Sequence, residues 1–278
     1  MGHTVGRARA RPSRLGGVSE PASNVTPPGR PGPAPDPADT GGLDASDALT
    51  LLRDGEITVT GRLLEASNTT LYCEISLDGV DGRCIYKPVR GERALWDFPD
   101  GTLAGRERAA YLVSEAIGTG IVPPTALRGG PFGTGMVQLW IDVDETVDLI
   151  ALTRSDDPRL RTIALFDAVI NNADRKGGHL LPAPSGRVYG VDHGVTFHVE
   201  NKLRTVLWTW RGQRLRTDEV ELLSCLREAL GGPLAAALAD LLSNAEINGL
   251  RARVGRLLTE RRFPMPSGDW PAIPWPPF

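Results

Sequence analysis

Asp174 and Asp192 stand in the part of this chain richest in groups that do chemistry. The first lies in Asn171-Asn172-Ala173-Asp174-Arg175-Lys176-Gly177-Gly178-His179, a polar, glycine-containing loop that also holds two bases and a histidine. The second ends the strand-like run Arg187-Val188-Tyr189-Gly190-Val191 and precedes His193-Gly194. Two carboxylates on loops beside rigid elements suit metal-assisted chemistry, in which one orients a nucleophile and the other, with His179, holds a divalent cation. The plain alternative is that both are turn residues, because aspartate favours turns through local hydrogen bonds. Spacing alone leaves the two readings even.

The elements that would position these groups follow from the surrounding pattern. Residues 160–170 form an apolar helical run with Asp167 as a charge inside it. Far upstream, residues 43–52 begin with a short helix that Asp44 or Ser46 caps. Strand signals follow at 57–64, 71–76 and 83–88, separated by the polar turns Ser67-Asn68-Thr69-Thr70 and Asp78-Gly79-Val80-Asp81-Gly82, so an antiparallel meander is expected. Its third strand ends at Lys87, which either faces solvent alone or faces inward towards an anionic partner. A helix is expected over 103–117, closed by Gly118 and carrying Glu107 and Glu115. A glycine-rich turn at 129–133 leads into a strand over 135–141 and the acidic linker Asp142-Val143-Asp144-Glu145. From about 218 to 260 apolar residues recur at helical spacing, and Pro233 starts a helix rather than ending one. The final residues, 263–278, are rich in proline and tryptophan and are expected to lie extended against the body, because free tryptophans promote association.

Asn172-Ala173-Asp174-Arg175 with His179, then Asp192-His193-Gly194-Val195-Thr196-Phe197, resembles the catalytic loop and metal-binding Asp-x-Gly of phosphatidylinositol 3-/4-kinase-like enzymes. The type II phosphatidylinositol 4-kinase branch is the most similar, and an actinobacterial group of such proteins is the expected home of the chain. The resemblance covers about Thr58 to Phe197 and rests on the order and spacing of its motifs together. It implies an α+β, two-lobed atypical kinase-like fold with a small antiparallel-sheet N-lobe over 43–141 and a mostly helical C-lobe over 142–278. Ile85-Tyr86-Lys87-Pro88 is similar to the strand that supplies the ATP-binding lysine, so Lys87 would contact the α/β-phosphates and pair with Glu107, with Glu115 as the runner-up. Ser67 and Thr69 would sit in the phosphate-covering turn, although the turn is not glycine-rich and no Walker A sequence occurs. Backbone groups of Leu139, Trp140 and Ile141 would meet adenine at the hinge between lobes. Asp174 would orient the acceptor hydroxyl and take its proton, Arg175 would stabilise the loop or phosphate charge, and Asp192 would hold Mg²⁺. His179 departs from the family, which usually has Asn there. Imidazole suits Mn²⁺ better than Mg²⁺, so His179 holds Mn²⁺, contacts a phosphate, or marks a lost second metal.

Composition sets the outer limits. The chain has 278 residues, 41% hydrophobic and 23% charged, enough for a sizeable core and ordinary for a globular protein. A net charge of -3 gives no basic field for nucleic acid or an anionic membrane. Cys73, Cys84 and Cys225 form no zinc spacing and, being odd in number, no disulfide framework, which favours a cytoplasmic setting. No apolar run reaches the length of a membrane span. Residues 1–42 are rich in Pro, Gly, Arg and Ala and are expected to be a disordered tail. The expected activity is transfer of the γ-phosphoryl group of ATP to a hydroxyl on a protein or small molecule, with lipid a further option. The rivals are transfer of AMP on the same scaffold and a nucleotide-binding pseudokinase.

Overall fold

Asp44 opens the first helix. Its carboxylate accepts the N–H groups of Ser46 and Asp47, donors that a first helical turn otherwise leaves without partners. Helix α1 therefore spans Ala45–Asp54 and turns Ala48, Leu51 and Leu52 inward. The computed structural model describes residues 36–63 and 68–278. Most of the expected N-terminal tail, and Ser67, lie outside the described residues.

Strands β1 (Glu56–Arg62), β2 (Leu71–Leu77) and β3 (Val80–Pro88) form the expected meander. The turn between β2 and β3 is tighter than the sequence predicts. Leu77 pairs directly with Val80, and only Asp78 and Gly79 turn the chain, at φ 49° and 84°. Two successive left-handed residues give a turn whose twist matches that of the strands it joins. Strands β4 (Thr125–Gly130) and β5 (Gly133–Leu139) complete an antiparallel sheet of order β1-β2-β3-β5-β4. Strand alternation sorts its two faces. Cys73, Ile75, Cys84, Tyr86 and Val137 point into a core shared with α1. Lys87, Ile85 and Tyr72, which pairs with Ile85, lie on the opposite face.

Helix α2 (Leu103–Ala116) bridges the sheet and the rest of the molecule. Every residue from Leu103 to Ser114 is buried, including Arg106, Glu107 and Arg108. Buried charges need partners; Arg106 reaches Glu246 and the Thr196 carbonyl, and Arg108 reaches the Thr125 carbonyl. The second lobe contains α3 (Leu149–Arg154), α4 (Pro158–Ile170), the short hairpin β6 (Leu180–Pro182) and β7 (Val188–Gly190), then α5 (Thr217–Ala229), α6 (Pro233–Ala239) and α7 (Asn244–Glu260). Phe166, Leu226, Leu250 and Val254 are at the centre of its core together with Val113 of α2. Burying one such side chain is worth about 1.5–3 kcal/mol, and truncating Phe166 to alanine should cost about 3–5 kcal/mol. The result is the expected α+β, two-lobed architecture. Among the described residues no single helix is long and apolar enough to cross a membrane.

Candidate active site

The alternation that sends Cys84 and Tyr86 into the sheet core sends Lys87 to the other face, towards α2. Its ammonium lies 2.7 Å from Glu107 Oε1 and 2.9 Å from Asp192 Oδ1, so the lysine joins the two lobes. Glu107 rather than Glu115 is the helix partner. The Glu107 side chain is only 2% exposed, and its second oxygen accepts the His193 N–H at 2.8 Å. Glu92 holds the start of α2 in place, its carboxylate accepting the N–H groups of Leu103 and Ala104 at 3.1 and 2.8 Å. This cap comes from eleven residues upstream, and no local spacing announces it.

Helix α4 is built to end sharply. Asp157 caps its start, Pro158 occupies the first turn, and Asn171 ends it in the left-handed conformation at φ 54°. The loop that follows is organised around Asp167, which is fully buried. Asp167 accepts from Asn172 Nδ2 at 3.0 Å and from Nε and Nη2 of Arg175. Arg175 donates further to the carbonyls of His179 and Val191, and its Nη2 is 2.7 Å from His193 Nε2. A guanidinium has five N–H donors, and all of those in Arg175 meet protein groups. Its side chain is wholly buried. Arg175 is thus the post of this loop; of its two expected roles, the one on phosphate charge does not fit.

Asp174 and Asp192 are both partly open to solvent, with side chains 32% and 43% exposed. Asp174 lies 3.4 Å from Lys176 Nζ. Asp192 adopts φ 60°, uncommon for a residue with a side chain. Such strain gathers at functional sites. Its second oxygen is 3.3 Å from His179 Nε2. His179 Nδ1 accepts the Lys176 N–H at 3.4 Å, which places the ring proton on Nε2, facing Asp192. The hydrogen bonds therefore fit His179 as a donor that steers Asp192 better than as the metal ligand expected from the sequence.

Charge follows geometry. Burial opposes the Lys87 ammonium, but the carboxylates of Asp192 and Glu107 outweigh it and raise its pKa. Burial also works against the Asp192 carboxylate, and Lys87 and His179 outweigh it, so its pKa falls below the usual range. Burial pushes Glu107 up against the pull of Lys87. Asp174 is raised by burial and by Asp192, against Lys176. Burial and the neighbouring cations Arg175, Lys87 and Lys176 lower His179 to about 4, despite Asp192. It is neutral at pH 7.

Thr69 reaches this region. Together with Lys87, Glu107, Asp192 and Gly194 it lines a small cavity of about 20 Å³ beside the lysine. The hinge differs from expectation. The N–H of Leu139 donates to the Pro124 carbonyl and that of Trp140 to the Arg83 carbonyl, because β5 continues to pair with its neighbours there. Those two donors are therefore engaged, and Ile141 is buried against Ala183 and Tyr189. The surface that sequence reasoning missed lies on the Lys87 face. Tyr72 packs edge-on against Trp140 at 4.9 Å, and Trp140 Nε1 donates to Asp142, which pairs with Arg83 at 2.7 Å. Strand parity with Lys87 was the available signal.

A two-lobed α+β chain with a lysine held between carboxylates from both lobes is the class that fold and site define. No protein-family model matches the chain. It is 48% identical over 267 residues to Protein Rv2133c of Mycobacterium tuberculosis, a match covering 84% of this chain and 96% of that protein. The chain belongs to the family of that protein. Among solved structures it is similar to the Helicobacter pylori proinflammatory kinase CtkA at a TM-score of 0.42 and 10% identity, over 76% of this chain and 94% of that one. That likeness is too slight to bear on what the chain does.

Proposed function

We propose that this chain is an ATP-dependent phosphotransferase with an atypical kinase-like site of the phosphatidylinositol 3-/4-kinase-like kind, acting on a hydroxyl. The observation that carries the reading is the Lys87 ammonium held between Glu107 at 2.7 Å and Asp192 at 2.9 Å. A preorganised cation anchored by a buried glutamate suits the phosphates of a nucleotide, where positioning and charge neutralisation supply most of the catalysis. Among the described residues no cluster of three His, Cys, Asp or Glu forms a resident metal site. Mg²⁺ keeps several waters and binds through one or two carboxylates plus substrate phosphates. Asp192 would hold it, with His179 orienting the carboxylate. An ion held there would supply neutralisation of phosphate charge.

Asp174 takes the proton of the acceptor hydroxyl as the oxygen–phosphorus bond forms and the bond to ADP breaks. Its raised pKa makes it a better proton acceptor than a freely solvated aspartate. Arg175, Asp167 and Asn172 hold the loop that carries Asp174. Tyr72, Ile85 and Trp140 offer an apolar face for the base. The test is ADP formation by the purified chain in Mg²⁺ and in Mn²⁺, beside Asp174→Asn. ADP formation lost in the variant supports the reading. Absence of nucleotide binding by calorimetry overturns it, and binding without turnover converts the reading into a nucleotide-sensing scaffold.

A further inference from the structure

Residues 270–278 run along the face of the loop that carries Asp174. Each hydrogen bond in this contact has the body donating and the tail accepting. The Gly177 N–H donates to the Pro277 carbonyl at 2.8 Å, and the Thr205 N–H to the Ala272 carbonyl at 3.0 Å. Arg204 Nε donates to the Pro271 carbonyl at 3.0 Å and Trp208 Nε1 to the Ala272 carbonyl at 2.8 Å. The strip they belong to is continuous with the candidate site. The Arg175 N–H donates to the Arg204 carbonyl and the Val206 N–H to the Arg175 carbonyl.

The two ends of the segment are anchored by rings. Lys202 lies between Trp96 and Trp270, its ammonium 4.6 Å from each ring centre, and pairs with Asp97 at 2.7 Å. Trp96 and Asp97 belong to the loop before α2, so this clasp ties the tail to the start of the helix that carries Glu107. At the other end the Phe278 ring sits directly on Gly177, where a Cβ would run into it.

From this geometry we propose that the strip formed by Gly177, Arg204, Thr205 and Trp208 is a docking groove for a proline-rich polypeptide, which the chain's own residues 270–278 fill in cis. The chemistry of the segment selects this occupant. Pro271, Pro274, Pro276 and Pro277 carry no N–H, so the segment offers more carbonyls than donors, and each proline ring fixes its own φ. Carbonyl acceptance beside tryptophan is the mode by which proline-rich ligands are read. A polypeptide acceptor would enter along this strip past Asp174, so the tail is an inhibitory occupant that must leave first. This last step rests on the phosphotransferase reading; the groove itself does not.

The test separates the two. A labelled peptide copying residues 269–278 is titrated against the intact chain, against a full-length Trp270→Ala/Phe278→Ala variant, and against folded chain nicked at a protease site inserted in the exposed Ser267–Gly268 turn. The nicked form guards against a folding defect in the variant. The expected result is saturable binding to the variant and the nicked form, about tenfold weaker binding to the intact chain, and competition by unlabelled proline-rich peptide. ADP formation should rise about tenfold on release, as for a groove occupied about nine-tenths of the time, and fall back when the peptide is added. Equal binding to the intact chain, or none to either released form, overturns the groove. Peptide binding as expected with unchanged ADP formation overturns the inhibitory role. Peptide binding with no ADP formed by any of the three proteins overturns the phosphotransferase reading and leaves the groove standing.

Discussion

Arg175→Ala separates a loop post from a phosphate ligand. The substitution removes a guanidinium whose side chain is fully buried and leaves the Asp167 carboxylate, also fully buried, with hydrogen bonds only from Asn172 and, at 3.4 Å, Thr205. Breaking a buried ion pair by deleting one partner costs about 3–5 kcal/mol, because an uncompensated charge remains. For a chain of this size, 1 kcal/mol moves the melting temperature by about 2–4 °C, so a fall of about 6–20 °C is expected. Arg175→Lys should fall almost as far, since an ammonium cannot reproduce the fork to Asp167 and the bonds to Val191 and His179. The control is Asp167→Ala/Arg175→Ala, which leaves no isolated buried charge. Its loss should be smaller than the sum of the two single losses by up to about 3 kcal/mol. Thermal melts of these variants, of Asp167→Ala and of the parent, with and without ATP, measure this directly. A single variant melting within 2 °C of the parent, together with lost protection by ATP, would refute the reasoning and return Arg175 to the phosphates.

Three other outcomes follow from the same geometry. Lys87→Met should abolish protection by ATP and lower ADP formation by at least about 100-fold; adding Glu107→Gln should restore melting temperature without restoring activity, as calorimetry and an ADP assay would read. Glu92→Ala removes the cap from α2 and should cost about 1–2 kcal/mol in denaturant melts while raising KM for ATP, because Glu107 loses its anchor. His179 titrates at about 4 in the folded chain against 6.5 unfolded, so between those values the unfolded state binds the extra proton. Its contribution is therefore full above pH 6.5 and disappears as pH falls through 4, up to about 3 kcal/mol. Denaturant midpoints measured from pH 4 to 7 should show this slope, and His179→Gln should flatten it.

The sheet was legible because its strands alternate, but the pattern left the facing of Lys87 open, and resemblance alone turned it inward. The carboxylates were legible as chemistry only by their order along the chain. Helix α2 was harder, because it is buried all round and has no single apolar stripe to say which charge points where. Glu107 could be chosen over Glu115 by resemblance alone. The choice between the two expected roles of Arg175 was open for a different reason. Its partner, Asp167, sits inside a helix that otherwise reads as largely apolar, and a charge there was the one hint that something must meet it. At the hinge, adenine contacts were assigned to backbone groups by position alone, and position did not show that β5 keeps its pairing long enough to engage the N–H groups of Leu139 and Trp140. Long-range partners such as Glu92 leave no local trace.

The ionic groups at the centre are best understood as one chain of contacts. Asp167 holds Arg175, Arg175 holds the His193 ring, and the His193 backbone N–H holds Glu107. Glu107 holds Lys87, and Lys87 holds Asp192, the residue before His193. The path begins on α4, crosses to α2, reaches β3 and returns to the loop after β7. Burying so many charges brings little net stability, since desolvation offsets most of the attraction. What it brings is dependence: each group keeps its place only while the next does. Apolar replacements of similar volume at Lys87 and Glu107 would pack as well or better, yet the two lobes would no longer be registered at Asp192. A fold selected for stability alone has no need of this arrangement. A site that must hold a cation and two carboxylates within hydrogen-bonding reach before a substrate arrives has a direct use for it.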